Sequence, residues 1–292
     1  MMCEDIRDKP SIRHADVTGL NFIRSSGPHV FRRHFRQGLR SHIMEILHRA
    51  DVALEDQGTV VDGLRRYPRA RPTYMLRIFR TRLPSLEDAM AEIARVNVVA
   101  RHLGAQFAAA SSEFVVDYHG PQGSCILLCG LQAYVSGEIL DPWRLLGPAR
   151  LLPELYDSLH GAAPQDCGHR ASWLEAARRK ADGFVRAVKT MIAEEHQIPD
   201  LAGAGNLVVT AAGEIKLVDI NNISPVVFDE AIPLDDKGYP VSDKSIEALA
   251  LIEEKLLGRP MDRDETLYGF FLDPARRRKV AAAEASFFGR QR

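Results

Sequence analysis

Residues 171–219 constrain this chain more than any other stretch, because they read as a long apolar stripe, a glycine-containing loop and a tight β-hairpin in succession. Trp173, Ala177, Ala181, Phe184, Val188 and Ile192 recur at spacings of three and four, with Leu174 at the edge of the stripe. That period predicts a helix over residues 171–195, buried as a bundle helix is buried. Beyond 196–199, the segments 206–210 and 214–219 carry strand-forming residues, and Ala211-Ala212-Gly213 between them predicts a hairpin turn.

A chain of 292 residues is long enough to bury a substantial core without disulfides or metals, as one large domain or as two lobes. Lysine and arginine total 38 against 39 acidic residues, so no global field favours nucleic acid or an anionic membrane, and any basic site must be local. The four cysteines, Cys3, Cys125, Cys129 and Cys167, form no CxxC pair; they are read as thiols in a reducing cytoplasm, with metal ligation by Cys125 and Cys129 or by Cys167 and His169 as the lesser alternative. The charged start lacks the apolar core of a signal peptide, and no apolar run is long enough to span a bilayer. A soluble cytoplasmic protein is expected, with neither a membrane nor a nucleic acid as partner.

The one basic cluster lies at residues 24–49, with Arg24, Arg32, Arg33, Arg36, Arg40 and Arg49 opposed only by Glu45. Phe31, Phe35, Leu39, Ile43, Ile46 and Leu47 recur there at three and four, which predicts an amphipathic helix with arginines on its wet face; an RNA or phosphate contact is the alternative. Residues 58–61 and 73–79 read as strands that pair as an antiparallel hairpin. Residues 85–103 read as a helix with Ser85 as N-cap and Gly104 as its stop, packing Ile93 and Val96 onto the sheet that holds 73–79. Two more strands, 114–118 and 125–131, flank a turn at 119–123.

The succession of a long helix, a loop bearing Asp200 and Asn206, a hairpin and then Asp219 resembles the catalytic segment of protein-kinase-like enzymes. The resemblance covers residues 55–225. It implies an α+β fold of two lobes: a small β-rich N-lobe over 1–130, carrying the basic helix, and a mainly helical C-lobe over 131–292. By the same resemblance Asp200 is the catalytic base, while Asn206 and Asp219 hold magnesium over the phosphates of ATP. Arg77 takes the place of the nucleotide-contacting lysine, Glu92 is its ion-pair partner, and the stretch 130–137, with Gln132, is the inter-lobe linker against the adenine.

Four departures from the family pattern are visible. Asn206 stands six residues after Asp200 and not five, Ile198-Pro199 replace His-Arg, Asp219-Ile220-Asn221 replaces Asp-Phe-Gly, and Arg77 replaces lysine. The function implied is ATP- and magnesium-dependent phosphoryl transfer to the hydroxyl of an unknown protein or small-molecule acceptor. The alternative is a pseudokinase that keeps the cleft as a protein-binding scaffold.

Overall fold

The computed structural model describes residues 4–290 apart from 36, 39, 145, 148 and 162–166. The chain is a mixed α+β protein in two compact units, Met1–Ala94 with Ala110–Tyr134, and Arg95–Ala109 with Val135–Arg292.

The first unit contains α1 (His14–Thr18), β1 (His29–Arg33), β2 (Ser41–His48), α2 (Arg49–Gln57), β3 (Thr59–Val61), β4 (Leu64–Arg66), β5 (Tyr74–Phe79), the start of α3 (Leu86–Phe107), β6 (Ser111–Gly120) and β7 (Gly123–Ala133). Its main sheet is antiparallel, in the order β1-β2-β5-β7-β6. One face is apolar, with Phe31, Met44, Leu76, Ile78, Leu127 and Cys129 packed against Ile6, Ile12, Val17 and Leu20 from the N-terminal segment. The opposite face is polar. Arg32, Glu45, Met75, Gln132 and Ser111 stand opposite one another across all five strands, and Ile43, Arg77, Gly130 and Glu113 form the next row.

Three expectations are corrected here. Residues 24–49 form strands β1 and β2 and the start of α2, not one amphipathic helix; Arg36 and Leu39 lie outside the described residues. β2 lies between two other strands and buries Ser41, His42, Met44, Glu45 and Leu47, so its buried positions do not alternate, and in sequence they mimic helical spacing. The second correction concerns β3, which pairs with β4 across an Asp62-Gly63 turn and not with β5. Both turn residues have positive φ, 53° and 76°, the two-residue geometry whose twist matches antiparallel strands.

The third is α3. Ser85 caps it as expected, accepting the Asp88 N–H at 3.1 Å while Asp88 accepts the Ser85 N–H at 3.1 Å. Beyond a break at Gly104 the helix continues to Phe107, and Val96, Val99, Leu103 and Phe107 are buried in the core of the second unit. Val96 thus belongs to the core of the second unit, and Ile93 is half-buried.

The second unit adds β8 (Glu138–Ile139), α4 (Leu151–His160), α5 (Cys167–Glu195), β9 (Gln197–Pro199), β10 (Leu207–Val209), β11 (Ile215–Leu217), β12 (Ile223–Pro225), α6 (Val241–Leu257), α7 (Thr266–Phe271) and α8 (Pro274–Arg290). All six members of the α5 stripe are buried, together with Val185 and Met191. The helix packs against α4 and α6, and Trp173 Nε1 donates to the Ala211 carbonyl at 2.7 Å, which ties the β10–β11 turn to it. Among the described residues no helix is long and apolar enough to cross a membrane.

The start of α6 is buried although it is polar. Asp243 is 2% exposed, and Arg276 of α8 grips it with two bonds, Nε to Oδ1 at 2.6 Å and Nη2 to Oδ2 at 3.0 Å. The guanidinium also lies over the rings of Phe270 and Phe271. Removing one partner leaves the other charge buried and uncompensated. Arg276→Met is thus expected to cost about 3–5 kcal/mol, read from the urea unfolding midpoint. A midpoint equal to that of the wild type would show that the pair does not hold α8 to α6.

Candidate active site

The loop between β9 and β10 is positioned from three sides. β9 pairs with β12, which sets Ile198 opposite Ser224 and Pro199 opposite Ile223. Ile198 and Leu201, both buried, anchor the loop in the core, and the Leu201 N–H donates to Ser245 Oγ at 3.1 Å. Two backbone bonds then join this loop to the segment after β11. The Asp200 N–H donates to the Asn222 carbonyl, and the Val218 N–H to the Asn206 carbonyl, both at 2.8 Å.

These bonds bring Asp200, Asn206 and Asn222 together. Asp200 is 7% exposed. Its Oδ1 accepts the N–H groups of Ala202 and Gly203, each at 2.9 Å, and its Oδ2 accepts Asn222 Nδ2 at 3.0 Å. Asn206 Nδ2 donates to the Asp200 carbonyl at 2.9 Å, leaving its Oδ1 as an acceptor. Gly203 makes this fold possible, since a Cβ there would lie 2.3 Å from Asn206 Nδ2. The six-residue step from Asp200 to Asn206 is thus a loop that folds over the asparagine.

Asp219, half-buried at the end of the β11 segment, acts on Asp200 through its charge. Burial pushes the Asp200 carboxyl above the ordinary carboxylate value, the neighbouring Asp219 carboxylate pushes it further, and the Gly203, Ala202 and Asn222 bonds pull against both. Two carboxylates and one amide oxygen are hard donors of the kind magnesium takes. Among the described residues no group of three or more His, Cys, Asp or Glu is placed to hold a metal, so a magnesium ion at this site needs further oxygens, such as those of phosphates. Asn222 was not singled out from the sequence; only its place next to the altered Asp219-Ile220-Asn221 triplet pointed near it.

The remaining candidates lie in the first unit, Arg77 and Gln132 on the polar face of its sheet and Glu92 on α3. Arg77 is 4% exposed, and its Nη2 donates to Glu113 Oε1 at 3.1 Å and to Ser111 Oγ at 3.2 Å. The guanidinium reaches Glu113 across β7 because Gly130, directly between them, has no side chain; a Cβ there would sit 3.1 Å from Glu113 Oε1. Nothing local in the sequence marks Glu113, two strands away, as a partner of Arg77. Glu92 is half-buried on α3. Gln132 is 4% exposed and belongs to β7, which runs to Ala133, so the stretch expected as a linker from 130 begins as a central strand.

Of the thiols, Cys129 is fully buried and its pKa is pushed up to about 12 by burial, which makes it inert; Cys125 accepts a bond from Arg7. Cys3 and the side chain of Cys167 lie outside the described residues.

The raised pKa of Asp200 has a consequence for stability. A carboxyl whose folded pKa exceeds its unfolded one contributes stability below the unfolded value, and that contribution is lost as pH rises through the folded pKa. At neutral pH the charge on Asp200 therefore opposes folding. Asp200→Asn keeps one oxygen for the Ala202 and Gly203 amides and is expected to raise the melting temperature at pH 7, with the gain vanishing near about pH 3. A lower melting temperature at pH 7 would mean that the carboxylate is a net structural support.

No family model matches this chain, and no curated protein matches it in sequence, so its own residues carry the functional reading.

Proposed function

We propose that this protein is an ATP- and magnesium-dependent phosphotransferase of the protein-kinase-like kind, acting on an acceptor hydroxyl. The observation that carries this reading is the convergence of Asp200 and Asn206 with the Asp219 charge, on two loops joined by backbone bonds. Asp219 and Asn206 are the residues that would hold magnesium, which when bound supplies charge neutralisation at the nucleotide phosphates. Asp200 takes the proton of the acceptor hydroxyl as its oxygen bonds to phosphorus and the bond to the ADP oxygen breaks. The raised pKa suits that role, because a carboxylate with a pKa closer to neutrality is a better base.

In the first unit, the polar sheet face with Arg77 and Gln132 is read as the nucleotide-facing side, with Glu92 as the acid on the following helix. The mixed architecture, an antiparallel five-stranded sheet followed by a mainly helical unit, supports the same reading. A second reading, a scaffold without turnover, is favoured by one observation: Arg77, in place of the lysine, already bonds Glu113 and Ser111.

Calorimetry with ATP, with and without magnesium, separates the outcomes. Magnesium-dependent binding is expected, and Asp219→Asn should weaken it. Asp200→Asn should keep ATP binding while turnover falls by about 10²–10⁴. Turnover that survives Asp200→Asn would remove Asp200 from the chemistry, and binding without turnover in the wild type would select the scaffold.

A further inference from the structure

The β3–β4 ribbon is unlike the rest of the first unit. It pairs only with itself, and residues 60–69 are all exposed. Yet it is apolar at its tip, with Val60 61%, Val61 39%, Leu64 64% and Tyr67 61% exposed. Four arginines follow within a few residues, Arg65, Arg66, Arg69 and Arg71, and Asp62 in the turn is the sole carboxylate of residues 58–72. Among the described residues none of the four arginines is in a salt bridge, although Arg69 lies near enough to Glu55 to help hold that carboxyl below its usual range; Arg65 donates to the Gln57 carbonyl.

The register decides what kind of surface fits. Val61 stands opposite Leu64 on one face of the ribbon, whereas Val60 stands opposite Arg65 on the other. A protein groove covers one face of a ribbon and leaves the second in water. A single-stranded nucleic acid gains little from valine and leucine, since its bases are read by stacking and Tyr67 is the only aromatic ring in residues 58–72. A lipid layer surrounds both faces at once. Three residues per strand rise about 10 Å, which matches the depth to which interfacial elements enter a bilayer.

We infer that the β3–β4 ribbon is a membrane-interface element for anionic bilayers. Val60, Val61 and Leu64 enter below the headgroups, Tyr67 lies at headgroup level, and the arginines meet lipid phosphates. The near-zero net charge of the whole chain does not oppose this, because the attraction falls off within a Debye length and only the local excess of cations acts. Asp62 at the tip works against insertion and sets the interaction in the weak, reversible range.

Cosedimentation of the full chain with vesicles of phosphatidylcholine, with and without phosphatidylglycerol, tests this. Binding to the phosphatidylglycerol vesicles alone is expected, and added salt should weaken it. Arg65→Gln with Arg66→Gln should weaken binding about tenfold or more. Val61→Ser with Leu64→Ser, which leaves the charge unchanged, should also weaken it about tenfold. Asp62→Asn keeps a residue that accepts positive φ and should tighten binding about fivefold. Because these side chains are exposed, the unfolding midpoint of each variant serves as the control and should not move. The inference is overturned if anionic vesicles are not bound, if the Val61 and Leu64 variant binds like wild type, or if single-stranded RNA is bound while vesicles are ignored.

Discussion

The second unit depends on the burial of one face of α5. Each large side chain of that stripe contributes about 1.5–3 kcal/mol when it leaves water, and the stripe runs from Trp173 near one end to Ile192 near the other. α4 and α6 are held against it, and the β10–β11 turn is attached through the Trp173 bond to Ala211. Asp200 begins five residues beyond the end of α5 at Glu195, so the place of the candidate base follows from where that helix ends. The loop's own bonds then complete what the helix starts. Asp200 and Asn206 are tied by backbone to the segment 218–222, and side-chain amides fill the remaining valences.

Two of the places where charge is buried serve different ends. Arg276 and Asp243 neutralise each other between α6 and α8, and the arginine stacks on two phenylalanine rings; this is a structural joint. On the sheet of the first unit, buried charges line one face in cross-strand rows. Burial pushes the Glu45 carboxyl up, but bonds from His34 and Arg32 outweigh it and hold the group below the usual carboxylate range. Arg77 reaches Glu113 over the bare backbone of Gly130. A sheet face of this composition costs stability relative to an apolar one unless every charge is paired.

Asp200 and Asp219 are a different case, because they are like charges close enough to act on each other. The arrangement opposes folding at neutral pH, and it is relieved by a cation or by a shared proton. This is the reverse of the joint between Arg276 and Asp243, where opposite charges compensate each other.

Much of this was legible in the residues alone. The α5 stripe, the Ser85 cap, the β6–β7 pair and the β10–β11 hairpin all follow from contacts between near neighbours, whose period and turn chemistry are written in consecutive residues. The nearness of Asn206 and Asp219 to Asp200 was readable because a hairpin with a short turn brings its flanks together. Apart from the local β3–β4 hairpin, whose Asp62-Gly63 turn was missed, what failed was long-range. β2 has buried residues on both faces, one of them packed with the N-terminal segment, which erased its alternation and left a false helical period. Glu113 became the partner of Arg77 only because β7 lies between β5 and β6 with a glycine at the crossing. Near neighbours along the chain suffice to set the elements whose energy is local, the α5 helix and the β6–β7 and β10–β11 hairpins. Which strands adjoin, which charges meet and which unit receives α3 follow from packing, because those energies come from burial against residues that no sequence window contains.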